Sequence, residues 1–142
     1  TIEGSEDITI KTTEKSTITL QRLGQNVFRN ELIEKYSGMC QVTGIDIKEL
    51  LRASHIKPWR LSNDRERLDS SNGLLLSSHI DILFDKGFIS FDDNGSILHA
   101  SLKIGELFMS QNIPSRKIII DDKTRHYLAW HRDHIFKATK KH

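Results

Sequence analysis

The feature that most restricts how this chain can fold is the stretch RASHIKPWRLSNDRERLDSSNGLLLSSHIDILFDKG, over residues 52–87. Its first apolar run ends near Pro58, which has no backbone N–H and disfavours helix in the residue before it, so the chain must turn after His55. A polar loop over 60–71 separates this run from a second one, NGLLL, over 72–76. The pattern predicts two short strands joined by a loop.

Helices are predicted on both sides of these strands. The segment SSHIDILFDKG has helical spacing, with Ser77 as its cap and Gly87 as its end. The segment QNVFRNELIEKY, over 25–36, also has apolar residues at helical spacing, and Gly38 is placed to end that helix. Between the two, CQVTG over 40–44 predicts a further strand that precedes a glycine-containing turn.

The remainder of the chain adds a hairpin and a terminal helix. The segment FISFDDNGSILHA has an Asp-Asn-Gly loop between apolar runs, which is typical of a β-hairpin. The segment DDKTRHYLAWHRDHIF has a helical apolar stripe behind Asp121 or Asp122. Residues 1–20 are rich in Thr, Glu, Lys and Ser and are predicted to be a tail or linker, with a short edge strand as the alternative. The organisation predicted is an α+β domain over 21–142 that follows this tail.

Composition excludes several classes of protein. No run approaches the roughly 20 apolar residues of a membrane helix, so no membrane partner is expected. Cys40 is the only cysteine, which excludes an internal disulfide and a zinc site built from cysteine pairs, and favours a cytoplasmic location. The chain begins with Thr1 rather than Met, and we expect a fragment or a processed chain.

Positive charge is concentrated around the first strand and the loop, although the formal net charge is only +2. Between residues 52 and 67, five basic side chains are accompanied by only Asp64 and Glu66. Such an excess can serve phosphate binding, and a solvated charged face is the alternative that charge alone leaves open. The candidate phosphate-binding residues are Arg52, Lys57, Arg60, Arg65 and Arg67.

Two carboxylates share one face of the helix after the second strand. Asp81 and Asp85 are four residues apart, on the side that carries Phe84 and Phe88, which are predicted to be buried. Carboxylates this close repel unless a cation lies between them, and oxygen ligands suit Mg²⁺ or Mn²⁺ rather than zinc. By strand alternation, His55 is expected on the face against which this helix packs. A metal, a histidine and nearby arginines together indicate a site that cleaves phosphodiesters.

The other histidines have simpler interpretations. His79 lies two residues before Asp81 on the helix and is predicted to face outward. His131 and His134 lie three residues apart on the last helix, without a third ligand nearby in the sequence, and are predicted to be packing and surface residues.

The ordered combination of SHIKP, NGLLL and D…FDKG resembles the HNH endonucleases, also described as ββα-metal or His-Me finger nucleases. The resemblance is to the version found as the nuclease module of restriction enzymes and related defence proteins. It covers residues 21–98, with a core motif over 40–98, and YLAWHRDHIF resembles the closing helix of that group. It implies an α+β fold with a ββα-metal core, a preceding helix, a following β-hairpin and a C-terminal helix.

The resemblance also implies a role for each motif residue. His55 matches the general base, and Asn72 matches the middle Asn, which orients the base in some members and contacts the metal in others. Asp81 and Asp85 match ligand positions for Mg²⁺ or Mn²⁺, with Asp81 in place of the last His of the motif. Ser54 stands where many members carry an Asp or His ligand. Many members also hold their fold with a zinc-binding cysteine set, which a chain with one cysteine cannot form.

The function predicted is divalent-metal-dependent hydrolysis of DNA by the nuclease module of a restriction or defence protein. The partner predicted is double-stranded DNA. The resemblance implies products with 5′-phosphate and 3′-hydroxyl ends. Because one site cuts one strand, double-strand cleavage requires a homodimer or successive nicks, and sequence specificity is expected in an upstream domain. The alternatives are a catalytically inactive HNH-fold module that binds DNA or acts as a scaffold, and a metal-free protein-interaction domain.

Overall fold

A computed structural model describes the backbone of residues 5–138 and the side chains of residues 14–138. Its first element, helix α1 (Ser5–Lys35), begins well before the predicted start at residue 25 and ends near Gly38, whose N–H donates to the carbonyl of Ile33 at 2.8 Å. The edge strand considered within 1–20 is therefore wrong, because residues 5–20 are helical. All side chains over 14–23 are exposed, so tertiary packing does not explain the helix there. The division into a tail over 1–20 and a domain over 21–142 stays a prediction.

Two antiparallel strands and a helix form the centre of the fold. Strand β1 (Leu51–His55) pairs with β2 (Gly73–Ser77), so that Ser54 lies opposite Leu74 and His55 opposite Gly73. Helix α3 (Ser78–Asp85) follows β2 without a loop. The predicted succession of strand, loop, strand and helix is confirmed.

The additional strand predicted over 40–44 is wrong. This segment is a turn closed by a hydrogen bond from Gly44 N–H to the Cys40 carbonyl at 3.0 Å. The Cys40 thiol lies 3.5 Å from the Ser77 hydroxyl, which occupies the N-cap of α3 but makes no capping hydrogen bond. Cys40 and Val42 are both buried, as alternate residues of a strand would be, but the backbone that carries them is a turn. Their spacing therefore resembled that of a strand.

The loop predicted over 60–71 contains a short helix, α2 (Asp64–Leu68), between two 3₁₀ turns, Trp59–Leu61 and Ser70–Asn72. The Asn63 side chain accepts a hydrogen bond from Glu66 N–H at 2.8 Å, and the Glu66 carboxylate accepts one from Asn63 N–H at 2.9 Å. This reciprocal cap stabilises a first turn that is too polar to be recognised from its hydrophobic pattern.

The second half of the chain covers one end of the central unit. The predicted hairpin is confirmed as β3 (Ile89–Phe91) paired with β4 (Ile97–His99), and the terminal helix is confirmed as α5 (Asp122–His134), capped by Asp121. Helix α4 (Leu102–Ser110), capped by Ser101, was not predicted. None of the described helices combines the length and apolar character needed to span a membrane.

The core lies where α1, the β1–β2 pair, α3 and α5 meet. Phe84 is fully buried as predicted, whereas Phe88 is 40% exposed and the prediction that it is buried is wrong. Helix α3 ends at Asp85, and Gly87 adopts φ +79°, which turns the chain away from the helix axis. Phe88 is therefore not part of the helix, and helical spacing does not predict which way its side chain points. The largest fully buried side chains of this core are Phe28, Phe84, Phe91, Leu32, Ile56, Leu74, Leu75, Leu76, Ile80, Ile89, Leu128 and His131.

His131 is a structural residue of this core, as the sequence predicted. Its Nε2–H donates to the Phe84 carbonyl at 3.0 Å, its Nδ1 accepts from the Ser90 hydroxyl at 2.8 Å, and its ring stacks on Phe84. Burial lowers the pKa of His131 to about 4, so the folded protein holds this imidazole neutral.

The buried neutral imidazole predicts a specific loss of stability in acid. The unfolded chain takes up this proton near pH 6.5 and the folded chain only near about pH 4, so stability present above pH 6.5 is lost as the pH falls. Between about pH 7.5 and about pH 5, the free energy of unfolding should fall by about 2 kcal/mol more in the wild type than in His131→Gln. Urea denaturation at both pH values measures the difference, and equal losses in the two proteins would contradict it.

Candidate active site

Strand β1 and helix α3 bring Ser54 and Asp81 together. Ser54 is only 5% exposed, and the interaction of its side chain with the carboxylate of Asp81 lowers the pKa of that acid. Burial raises the pKa of Asp81, and the nearby charge of Asp85 raises it further, whereas the Ser54 side chain and the charge of Arg52 lower it. The structure therefore groups two carboxylates, one hydroxyl and one guanidinium at this side of β1.

Asp85 lies one helical turn beyond Asp81 and is exposed. The electrostatic effect of Asp85 on the pKa of Asp81 agrees with the predicted placement of the two acids on one side of the helix. The pair thus has an inner, half-buried member and an outer member that faces solvent.

His55 is held by contacts from three separate parts of the chain. Its ring stacks on Phe28 of α1 at 3.8 Å between centroids and 7° between planes, and it meets the edge of Trp59 at 5.6 Å. Its Nε2 lies 2.8 Å from the Arg67 carbonyl. Because a carbonyl only accepts, Nε2 carries the proton, and Nδ1 keeps a lone pair that meets no other hydrogen-bonding group within residues 14–138.

Burial lowers the pKa of His55, and the charge of Arg67 lowers it further, whereas the hydrogen bond to the Arg67 carbonyl raises it. A lowered pKa favours the neutral imidazole, which is the form that can accept a proton. Ring stacking and the fixed Nε2 together set both the tautomer and the orientation of the side chain.

The expectation that His55 lies on the face covered by α3 is wrong. Ser54 meets Asp81 of α3, whereas His55, the next residue of β1, packs on Phe28 of α1. Alternate side chains of a strand point to opposite faces, and α1 covers the second face of this strand pair. Ser54 and His55 are therefore consecutive residues at the end of β1 whose side chains face different helices.

Asn72 is buried completely, and its polar side-chain groups are occupied by backbone groups. Its Oδ1 accepts from Lys57 N–H at 2.8 Å, and its Nδ2 donates to the Glu66 carbonyl at 3.0 Å and to the Lys57 carbonyl at 3.4 Å. Asn72 thus fastens the turn after β1 to α2, next to the Arg67 carbonyl that holds His55. These contacts suit the orienting role of the motif Asn rather than a metal ligand.

The predicted phosphate-binding residues fall into two groups. Arg52, Arg60 and Arg65 are exposed. Lys57 instead forms an ion pair with Glu66 at 3.0 Å, and Arg67 donates to the Trp59 carbonyl at 2.9 Å. The first group is accessible to a ligand, whereas the second group stabilises the loop.

The remaining histidines agree with their predictions. His79 is exposed on α3, and His134 is exposed on α5, where it stacks on Trp130 at 4.3 Å. Phe28 and Trp59 were not predicted as contacts of His55. The helical stripe identified Phe28 as a packing residue, but spacing along a helix does not indicate which partner lies opposite.

The donors beside β1 suit a hard divalent cation. Within residues 14–138, no group of three or more His, Cys, Asp and Glu side chains has the geometry of a metal site. Two carboxylates and a hydroxyl nevertheless match the way Mg²⁺ binds, through one or two carboxylates with water and phosphate completing its shell. They do not match zinc, which takes nitrogen and sulfur ligands, and Cys40 is buried away from this side against Ser77.

Comparison with known proteins agrees with this arrangement. Residues 40–92, which contain β1, α2, β2, α3 and β3, match a family model described as HNH endonuclease. This part of the chain is therefore similar to an HNH endonuclease domain. The match includes every predicted ligand and catalytic position, and the mixed α+β architecture is that of the HNH fold.

A solved structure shares the fold of this chain. It is described as a modification dependent TagI restriction endonuclease, with a TM-score of 0.51 and 21% sequence identity. The match covers 74% of this chain and 36% of that chain, so this chain spans about a third of the length of the other protein. Comparison with curated protein sequences found no significant match.

The buried contacts of Asn72 predict a structural cost for its removal. Asn72→Ala leaves the Lys57 N–H and the Glu66 carbonyl without their partner, so the free energy of unfolding should fall by about 2 kcal/mol. Urea denaturation measures this loss, with Asn94→Ala in the exposed β3–β4 turn as the control, expected to change stability by less than about 0.5 kcal/mol. Equal effects of the two substitutions would contradict the positioning role.

Proposed function

We propose that this chain hydrolyses DNA phosphodiester bonds with the help of a divalent cation, Mg²⁺ or Mn²⁺. The observation that carries the proposal is that Ser54, which interacts with Asp81, is followed in β1 by His55, whose Nδ1 has no hydrogen-bond partner within residues 14–138. A ligand position and a proton acceptor thus occupy consecutive residues at the end of β1.

In the proposed mechanism, His55 acts as the general base. The Arg67 carbonyl fixes the proton on Nε2, so Nδ1 is the atom that accepts a proton from the attacking water. Stacking on Phe28 keeps the ring from rotating away, and the lowered pKa keeps it neutral before the reaction. Asn72 supports this geometry through the backbone at Lys57 and Glu66. By resemblance to the family, the products carry 5′-phosphate and 3′-hydroxyl ends.

Asp81 and Asp85 are the residues that would hold the cation, with the Ser54 hydroxyl as a neutral third donor. When bound, the cation would supply charge stabilisation for the leaving oxygen. Asp81 is the anchoring ligand because its carboxylate is half-buried and already oriented by Ser54. Asp85 is exposed and can adjust its position as the substrate phosphate arrives.

The partner proposed is double-stranded DNA, whose phosphates the exposed Arg52, Arg60 and Arg65 can contact. We propose a role as the nuclease module of a restriction or defence protein, because the shared fold belongs to a protein named as a restriction endonuclease. A single site cuts one strand, so double-strand cleavage would use a homodimer or two successive nicks. The proposed location is the cytoplasm, where the buried thiol of Cys40 stays reduced.

The second candidate function is an inactive HNH-fold module that binds DNA. The Ser54 side chain favours it, because a hydroxyl stands where many members of the family carry a charged ligand. The nuclease is preferred because both acids and a correctly protonated imidazole are retained, and DNA binding alone requires none of them.

Nicking of supercoiled plasmid DNA tests the proposed function. The wild type should nick in Mg²⁺ or Mn²⁺ and not in EDTA, and His55→Ala should lower the rate by about 10²–10⁴-fold, the usual contribution of a general base. His79→Ala, an exposed histidine substitution on α3, is the matched control and should nick at the wild-type rate.

One result would reject the nuclease, and another would reject His55 as its general base. A wild type that binds duplex DNA with a steep salt dependence but never nicks in either cation would identify the inactive module. Equal rates for His55→Ala and the wild type would show that another group removes the proton.

A further inference from the structure

A groove beside Asp85 includes several residues that have no role in the function proposed above, which uses only Asp85 and Arg60 of its lining. Its walls come from three segments that are distant in sequence: the turn after β1, the end of α3 and the end of α5. Its volume of about 320 Å³ lies at the lower end of the roughly 300–1,000 Å³ range of ligand pockets. The basic groove, as we name it, is lined by Pro58, Arg60, Asp85, Lys86, His134, Ile135 and Lys137.

The backbone holds the two lysines of the basic groove in place. Lys137 N–H donates to the Gly87 carbonyl at 2.8 Å, which joins the end of α5 to the end of α3. Gly87 adopts φ +79°, and a Cβ at this position would lie 2.1 Å from the Ile135 carbonyl oxygen, so only glycine permits the junction. Lys86 and Lys137 therefore flank the groove because of a specific backbone contact.

The charge of the basic groove is positive and uncompensated. Three cationic side chains, Arg60, Lys86 and Lys137, surround one carboxylate, Asp85. Within residues 14–138, none of the three cations forms an ion pair. Other basic residues of the same part of the chain do have acidic partners: Lys35, Lys57, Arg67, Lys123, Arg125 and Arg132. Lys137 does contact the Phe88 ring, with 5.8 Å between Nζ and the ring centroid, but that contact leaves its charge without an acidic partner. Cations without acidic partners that line a concave surface attract an anion.

We propose that the basic groove binds a DNA backbone phosphate next to the scissile one, through Lys86 and Lys137 with Arg60. The inference rests on the proposed function, because it extends the path of the cleaved strand from Ser54 and Asp81 past Asp85 to the end of α5. Neither lysine lies in the segment 52–67, from which the candidate phosphate-binding residues were predicted. The groove would contact the phosphate and not the base, so its contribution to DNA affinity is independent of DNA sequence.

Binding of a fluorescent duplex to the full chain in EDTA tests the basic groove without any cleavage. Fluorescence anisotropy is measured from about 50 to about 200 mM salt, and the slope of log affinity against log salt counts phosphate contacts at about 0.9 each. The double variant Lys86→Ala/Lys137→Ala should bind more weakly, and its slope should be smaller in magnitude by about 0.9, the loss of one phosphate contact. Lys86→Arg/Lys137→Arg should restore the wild-type slope.

The matched control removes two exposed lysines from another part of the molecule. Lys103 lies on α4, which packs on β4, and Lys117 lies between α4 and α5. Lys103→Ala/Lys117→Ala changes the net charge equally and should leave the slope at its wild-type value. Equal slopes for the two double variants, or no binding of the duplex by the wild type at low salt, would overturn the inference.

The plasmid nicking assay separates this inference from the proposed function. A wild type that nicks while Lys86→Ala/Lys137→Ala keeps the wild-type slope rejects the basic groove and leaves the nuclease intact. A wild type that never nicks while the same variant loses the expected slope rejects the nuclease and retains the groove as a DNA contact.

Discussion

The contact between strand β1 and helix α3 is the constraint on which the candidate site depends. Helix α3 follows β2 directly and its apolar residues enter the core, so Asp81 on its flank is carried against Ser54 in a half-buried place. Burial disfavours a charged carboxylate, and the neighbouring Asp85 disfavours it further. The fold thus holds an acid in an environment that disfavours its charged form, and a cation bound there, as proposed, would offset that cost.

The other half of the site depends on packing against α1 and α2. Phe28 covers one face of the His55 ring, and the Arg67 carbonyl at the end of α2 fixes its proton. Asn72 fastens α2 to the turn after β1, so the orientation of the base relies on three segments at once. The two halves meet in β1, where Ser54 and His55 are consecutive and face opposite sides. A single strand therefore carries candidate residues that are positioned by the packing of two different helices.

The elements that were predicted correctly are those with strong local signals. Pro58 ended the first strand, NGLLL marked the second, and Gly87 closed the helix that carries the acids. The helix over 64–68 was missed because its stability comes from a capping box rather than from an apolar stripe. The face of β1 that α3 covers was assigned wrongly, because alternation distinguishes two faces without saying which helix packs on each. Phe28 and the Arg67 carbonyl depend on tertiary contacts, which no local pattern encodes.

Diffraction from crystals grown with Mn²⁺, at a wavelength that detects its anomalous scattering, tests the central claim most directly. The account predicts one Mn²⁺ bound by Asp81 and Asp85, with a bound water between the cation and the side on which His55 Nδ1 lies. No Mn²⁺ at these acids at saturating concentration, or a bound Mn²⁺ with Nδ1 of His55 directed away from it, would contradict the assignment of this strand end as the reaction centre.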